Sequence, residues 1–368
     1  MTPVESRIFI KGNEAIARGA IDAGCQCYFA YPITPQSDIP EYLSSALVEL
    51  GGEFIQAESE IAAANMLLGA AACGKRAMTS SSSPGISLKQ EAISYMAGTE
   101  LPAVIVNICR GGPGLGSIDP SQGDYFQATR GGGHGDYRTL VLAPATCQEA
   151  YDMTIQAFDL AFAYRNPVMI LGDAILGQMK EPIRPWRERS VPNGEAADWA
   201  LSGAGEREPR LLKSLHLMDG ALETHNRRLQ DKYRAMERDI DYESFALEDA
   251  QLVVTAYGSI GRIAKSAVRL LRERGYPVGL FRPKTLFPFP RAQLRELAAQ
   301  GKTFITLENN SGQMVEDVRL SICGLAESDF FGNLPGKLSS PEDFLEPILQ
   351  ALNRQTGQEP ESQARPAV

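Results

Sequence analysis

An α/β protein built from two parallel-sheet domains is what this sequence predicts, and three observations predict it. Short strand-like runs alternate with helix-like runs. The run at 103–109, AVIVNIC, is almost wholly apolar, as expected of a strand covered on both faces. The alternation stops near residue 177 and resumes near 252, dividing a chain of 368 residues that exceeds what one core usually organises.

Taken in order, residues 12–23 carry helical spacing and 27–30 form a strand. A short strand follows at 53–56, then an Ala-rich helix at 61–73 with Ser59 as its N-cap. Residues 76–79 and 103–109 read as buried strands, and 139–143 as another. The helix at 145–164 sets Ile155, Phe158 and Phe162 at i, i+3 and i+7, and strand 167–171 closes the first domain. From 177 to about 210, Pro182, Pro185, Pro192, Gly194, Gly203, Gly205 and many charges predict a linker. A polar helix at 220–237 follows, as an exposed arm or a packing element. Strand 252–256, a glycine turn at 257–261, helix 262–274 and strands 278–281 and 303–307 make a second, smaller domain. The predicted boundaries are 1–178, 179–248 for linker and arm, 249–353, and a polar, disordered tail at 354–368.

Apolar residues make up 43% and charged residues 22%, and the net charge is −9, from 36 basic and 45 acidic residues. That charge argues against general nucleic-acid binding, which needs a basic footprint. No stretch reaches the length of apolar residues needed to span a membrane. The first residues place Glu5 and Arg7 where a signal peptide would be apolar, so a cytoplasmic chain is expected. The six cysteines (Cys25, Cys27, Cys73, Cys109, Cys147, Cys323) contain no Cys-x-x-Cys run for an iron–sulfur cluster. They are expected to be buried small hydrophobes.

In a parallel sheet, ligands bind at loops leaving the carboxyl ends of the strands. Three such loops are unusual together: Tyr31-Pro32-Ile33-Thr34-Pro35, Ser80-Ser81-Ser82-Ser83-Pro84-Gly85, and Arg110-Gly111-Gly112-Pro113-Gly114-Leu115-Gly116. Each alone reads as strand termination; the three together read as a rim that binds something anionic. Arg110 either pairs with a buried acid or receives an anion, and a guanidinium matches a planar carboxylate in bidentate fashion. Glu58 and Glu60 would point to opposite sides of a helix. Glu60 either complements the helix dipole or serves a site, since the Ala-Ala-Ala after it lets backbone come close. The glycine run 111–116 fails as a dinucleotide fingerprint, because Ser117 stands where the third glycine belongs and Asp119-Pro120 replaces the helix start. His134, in the Gly-rich loop 130–136, either carries protons or faces solvent.

These loops, with Glu58-Ser59-Glu60, residues 107–114, Pro120-Ser121-Gln122-Gly123-Asp124 and Gly133-His134-Gly135-Asp136, resemble the subunit of 2-oxoacid:ferredoxin oxidoreductases that carries the thiamine-diphosphate pyrimidine domain. The likeness covers residues 7–350 and is nearest to the 2-oxoisovalerate and 2-oxoglutarate members. Residues Gly258-Ser259-Ile260-Gly261 and 308–313 are similar to the transketolase C-terminal-like domain of the same subunit. The resemblance implies that Glu60 hydrogen-bonds the aminopyrimidine of thiamine diphosphate. It implies that Thr34 and Arg110 meet the substrate's carboxylate and 2-oxo group, and that Tyr31, Pro32, Ser83 and Pro84 line the cofactor. The activity implied is oxidative decarboxylation of a 2-oxoacid to its acyl-coenzyme A, with electrons passing to ferredoxin.

The pyrophosphate half of a thiamine site needs Gly-Asp-Gly and a later Asn; here Gly172-Asp173-Ala174 is the nearest approach, and Asn193 comes too soon. Mg2+, pyrophosphate and a [4Fe-4S] cluster are therefore expected on partner subunits, with further small ferredoxin-like and gamma-type subunits. Two other readings remain: a non-catalytic assembly or regulatory subunit of the same complex, and a free-standing nucleotide-binding enzyme. Lys75, Arg130 and Arg138 are candidates for a second substrate carboxylate.

Overall fold

A computed structural model describes residues 7–186, 198–336 and 338–356. Along the first part run strands β1 (Ile8–Lys11), β2 (Cys27–Ala30), β3 (Glu53–Gln56), β4 (Ala77–Ser81), β5 (Ala103–Cys109), β6 (Leu140–Leu142), β7 (Pro167–Asp173) and β8 (Lys180–Ile183). The second part adds β9 (Tyr242–Phe245), β10 (Leu252–Thr255), β11 (Val278–Pro283), β12 (Thr285–Phe287), β13 (Thr303–Glu308) and β14 (Ser328–Gly332). A seven-stranded sheet has the order β12-β6-β7-β5-β4-β2-β3, and a five-stranded sheet the order β14-β13-β10-β11-β9. Each is parallel except for one antiparallel edge strand, β12 in the first and β9 in the second. Two α/β units are thus present, as the alternation predicts.

The central strand β5 has all seven residues buried. Its side chains alternate between two apolar cores: Val104, Val106 and Ile108 enter one, Ile105 and Cys109 the other. Full burial of each large apolar side chain is worth about 1.5–3 kcal/mol, which explains why the segment reads apolar throughout. A third core, around Val254, Ile260 and Phe344, belongs to the second sheet.

Several expectations are corrected. The predicted linker, 179–248, contains β8, which pairs with β1, and β9, which joins the second sheet. Both are short edge strands with mixed polarity (KEPI, YESF), and their partners are remote in sequence, so no local apolar run announces them. Strand β12, within the expected second domain, crosses to the first sheet and pairs with β6. Residues 80–85 are no loop: Ser80 and Ser81 end β4, and Ser83 opens helix Ser83–Gly98. The expected glycine turn at 257–261 is the start of helix Gly258–Glu273. The helix at 220–237, observed as Ala221–Ala235, is a packing element, since Leu229, Tyr233 and the following Met236 enter the first core. Helix Pro341–Thr356 runs past the expected boundary at 353, and the remaining tail lies outside the described residues, as do Pro192, Asn193 and Gly194. Cys73 and Cys323 are exposed rather than buried; all six cysteines are free. Among the described residues no helix is long and apolar enough to cross a membrane.

The two units are locked by polar contacts. Gln122 receives the main-chain N–H of Asn309 at 3.0 Å and donates to the carbonyl of Tyr257 at 2.9 Å. Asn310 donates to the Gln122 carbonyl, and Gln313 to that of Gly123. Arg282, 4% exposed, donates to both oxygens of Glu149 (3.0 and 2.5 Å) and to Glu243 at 2.7 Å. These contacts hold the 120–124 segment, and with it the glycine loop, over the end of the first sheet.

Candidate functional site

Three segments converge where strands β2, β4 and β5 end. The 31–35 loop leaves β2 with Tyr31, Pro32 and Thr34 exposed. Helix Ser83–Gly98 starts with Pro84 in its first turn, where a missing N–H leaves nothing unpaired. Helix Glu60–Ala72 is capped by Ser59, whose hydroxyl accepts the Ala62 N–H at 3.1 Å. Glu58 stays exposed, whereas Glu60 is 8% exposed and points inward, the separation expected of the pair.

Gly85 makes that burial possible. A Cβ there would lie 2.8 Å from Glu60 Oε1 and 2.1 Å from Ser81 Oγ, so only glycine lets the two helices close around the carboxylate. The glycine loop is similarly constrained. Gly116 has φ +65°, and a Cβ on it would stand 1.6 Å from the Gly111 carbonyl oxygen. The tight return it permits brings the Leu115 carbonyl to Arg110.

Arg110, 8% exposed, is not paired with an acid. Its Nη1 donates to the Thr34 carbonyl at 2.9 Å and its Nη2 to the Leu115 carbonyl at 3.1 Å. Its buried Nε–H has no protein partner. The guanidinium is therefore fixed in place with donor capacity left open. The Ser81 and Ser82 hydroxyls are likewise buried without partners. Unmet buried polar groups are rare and call for a ligand or water.

Tyr31, Pro32, Ile33, Thr34, Ser37, Glu60, Pro84, Gly85, Leu88, Arg110 and Leu115 enclose a cavity of about 470 Å³. A second cavity of about 470 Å³ shares Pro84 and Arg110 with it and reaches Asn310 and Gln313 of the other domain. Ser83 lines only the second, its hydroxyl donating to Asp124 at 2.6 Å. Among the described residues, Arg110 is the one cation lining either cavity. Lys75 and Arg138 line neither, and Arg130 is engaged with the buried Asp317 at 2.9 Å. His134 is exposed and outside both. Asp173, which caps Ala174–Gln178 and receives the Ser259 hydroxyl, faces the seam between the domains. Burial raises its carboxyl above the ordinary range.

Asp124, which lies in one of the segments that carry the resemblance, and Lys89 had no role assigned from the sequence. Asp124 gathers the Ser83 hydroxyl, the Asn107 amide (2.9 Å) and the Cys109 thiol, tying the helix start to β5. Burial and the nearby Asp124 push that thiol well above its usual range. Lys89 is fully buried. Burial pushes its ammonium down to about 8, and the Glu60 charge acts in the opposite direction. The spacing Ile86, Lys89, Ile93 (i, i+3, i+7) could have revealed it, because it sets a lysine in the inward stripe of a helix.

The fit to thiamine diphosphate can be tested on this geometry. A buried carboxylate with no bulk beside it, a rigid guanidinium with a free N–H and orphaned hydroxyls suit a polar heterocycle and a carboxylate substrate. Among the described residues no cluster of three or more His, Cys, Asp or Glu is arranged to hold a metal.

A family model described as pyruvate flavodoxin/ferredoxin oxidoreductase, thiamine diphosphate-binding, matches residues 18–244, and one for pyruvate:ferredoxin oxidoreductase core domain II matches 250–344. The chain is 51% identical over 342 residues to the ketoisovalerate oxidoreductase subunit VorB of Methanothermobacter marburgensis, covering 93% of this chain and 97% of that one. It is 39% identical over 375 residues to the 2-oxoglutarate synthase subunit KorA of Methanothermobacter thermautotrophicus, covering 94% and 99%. Among solved structures, the 2-oxoglutarate:ferredoxin oxidoreductase from Magnetococcus marinus, with 2-oxoglutarate, coenzyme A and succinyl-CoA bound, superposes with a TM-score of 0.84 at 27% identity. That match spans 95% of this chain and 66% of the other.

Proposed function

The chain belongs to the 2-oxoacid:ferredoxin oxidoreductase family, and from that premise we propose that its rim cavity receives the pyrimidine end of thiamine diphosphate and a 2-oxoacid with a branched apolar side chain. The overall reaction converts the 2-oxoacid and coenzyme A to acyl-coenzyme A and CO2, with the electrons going to ferredoxin. One observation carries the substrate class: Arg110 is the single cation lining either cavity among the described residues, beside Ile33, Leu88 and Leu115. A 2-oxoacid has one carboxylate for that guanidinium, and a dicarboxylate such as 2-oxoglutarate would leave its second charge unpaired, which costs several kcal/mol when buried. The 51% identity to a ketoisovalerate oxidoreductase subunit supports the same choice.

When bound, the cofactor supplies the nucleophilic carbon and the electron sink for loss of CO2. Glu60 accepts a hydrogen bond from the cofactor ring in a site shielded from water, where such a bond is stronger than in solvent. Arg110 presents its remaining N–H groups to the substrate carboxylate, its plane set in advance by the carbonyls of Thr34 and Leu115. The Thr34 hydroxyl, on the exposed side of the loop, meets the 2-oxo group. Tyr31, Pro32 and Pro84 line the ring, and Ser83 fixes the helix start beneath them.

A partner subunit closes the site. The cavity lining includes Tyr31 (39% exposed), Leu88 (50%) and Leu115 (81%), apolar surface that a second polypeptide would cover. That partner would bring Mg2+, the pyrophosphate site and the [4Fe-4S] cluster, with ferredoxin-like and gamma-type subunits completing the complex. A reducing compartment, the cytoplasm, suits six free cysteines.

The test is 2-oxoacid-dependent reduction of a viologen dye by the complete complex. Branched-chain 2-oxoacids should give the highest kcat/KM. A preference for 2-oxoglutarate would overturn the substrate class, and no reduction with any 2-oxoacid would leave the non-catalytic assembly role.

A further inference from the structure

The second domain has no part in the mechanism above, yet the segment that pairs with Arg110 is bonded to it along most of its length. We propose that Asp124 is a positioning residue for Arg110. It passes the hold of the second domain to the Arg110 main chain through the Ser83 hydroxyl, and so sets how well the guanidinium receives the substrate carboxylate. The proposal rests on the reading of the cavity given above.

Residues 120–126 are clamped from the second domain. Asn309 donates through its side-chain amide to the Pro120 carbonyl at 2.8 Å, and its main-chain carbonyl accepts the Gln122 N–H at 2.9 Å. Gln313 brackets Asp124, donating to the Gly123 carbonyl at 2.7 Å and accepting the Phe126 N–H at 2.8 Å. The same stretch of chain meets Arg110. Pro120 and Arg110 form an antiparallel bridge, and the Gly111 N–H donates to the Asp119 carbonyl at 2.9 Å.

Asp124 stands at the N-cap of the short helix Tyr125–Arg130, where an aspartate commonly accepts an N–H of the first turn. Its side chain makes no such bond. Its Oδ2 instead gathers the Ser83 hydroxyl at 2.6 Å, the Asn107 amide at 2.9 Å and the Cys109 thiol at 3.3 Å. The Ser83 proton goes to Asp124 at 2.6 Å rather than to the Arg110 carbonyl at 3.3 Å. The Ser83 oxygen is then free to accept the Arg110 N–H, at 3.0 Å. Asn107 closes the ring by accepting the Ser83 N–H at 3.1 Å. Arg110 is thereby fixed at its main chain, and its guanidinium is fixed by the Thr34 and Leu115 carbonyls. A long side chain held at both ends has little freedom left to lose when an anion arrives. A merely structural aspartate would lower stability without singling out the substrate carboxylate.

The experiment measures steady-state kinetics of the complete complex, with KM for the 2-oxoacid and affinity for thiamine diphosphate taken separately. Asp124→Ala should raise the 2-oxoacid KM by about 10-fold, with kcat and cofactor affinity within about twofold of wild type. Asp124→Asn keeps an acceptor oxygen for Ser83 and should bring KM back to within about threefold. In an Arg110→Lys background, Asp124→Ala should add less than about twofold, because the fork it positions is gone. Equal losses in kcat, KM and cofactor affinity, or the same KM penalty in both backgrounds, would overturn the proposal in favour of a structural aspartate.

If Asp124→Ala does not assemble, Asn309→Ala loosens the same segment from the second domain and lines neither cavity. It should raise the 2-oxoacid KM by about threefold with kcat kept; a KM left at the wild-type value overturns the proposal. Hydrogen exchange separates this outcome from the cavity reading, since peptides covering 107–116 should exchange faster in either variant. Should Arg110→Lys leave the 2-oxoacid KM unchanged, the cavity reading fails. The relay is then decided by exchange alone: faster exchange at 107–116 upholds it and unchanged exchange overturns it.

Discussion

The seam between the two domains and the rim of the first sheet are made of the same residue types and use them differently. At the seam, Arg282 spends its guanidinium on Glu149 and Glu243, and Gln122 is bonded through its side chain and main chain to Tyr257, Asn309 and Asn310. At the rim, Arg110 is held by two carbonyls with its Nε–H left over, the Ser81 and Ser82 hydroxyls lack partners, and large apolar side chains stand in the open. Polar groups that complete each other within the chain serve the fold. At the rim, groups fixed in position but incompletely paired stand beside exposed apolar side chains, and the two features together mark a surface open to another molecule. Incomplete pairing alone does not, since the Asn309 Oδ1 at the seam is also buried without a partner. Burial alone does not separate the two cases, since Arg282 and Arg110 are 4% and 8% exposed.

Four substitutions test that division. Glu60→Gln should lower turnover of the reconstituted complex by about 10²–10⁴-fold while leaving the thermal midpoint of the chain near wild type. Retained turnover would assign the rim to assembly. Arg282→Met should do the reverse, costing about 3–5 kcal/mol in denaturant unfolding because two carboxylates lose a buried partner. Unchanged stability would show that the seam is held elsewhere.

Arg110→Lys keeps the charge and loses the planar fork. It should reduce kcat/KM for the 2-oxoacid by about 10–10²-fold, mostly through KM, with little change in stability. A large stability loss would move Arg110 to the structural class.

The smallest effect concerns Asp173, whose carboxyl is raised by burial against the weaker lowering influence of Ser259 and the Leu176 N–H. A raised folded-state value favours the protonated form, so its contribution is complete below the unfolded value and is lost as pH rises through the folded one. Relative to Asp173→Asn, the wild-type chain should therefore gain stability as the solution is acidified toward the ordinary aspartate range. A constant difference between the two unfolding curves would refute this.

Strands β2 and β5 were legible because each carries an uninterrupted local run, and β5 also because burial on both faces leaves no polar alternation. Two rim loops were legible because Tyr31-Pro32 and the glycines after Arg110 are unusual at strand ends; the serine run marked the rim too, but it passes from strand into helix without a loop. The edge strands β8, β9 and β12 were not, because their stability comes from partners about 40 to 175 residues away and their own side chains are mixed. Glu60 and Arg110 could be nominated from the chain; the resemblance to a known family gave them roles, and neighbours remote in sequence gave them their geometry.

By itself, the sequence determined the two α/β units, the buried central strand and the residue types gathered at the ends of the strands, because periodicity and turn chemistry act over a few residues. Tertiary structure alone decided that Arg110 has no acid beside it, that Gly85 makes room for Glu60, and that Lys89 is fully buried. Electrostatic fields and close packing act through space, and the residues that matter to one another here are 25 to 76 positions apart along the chain.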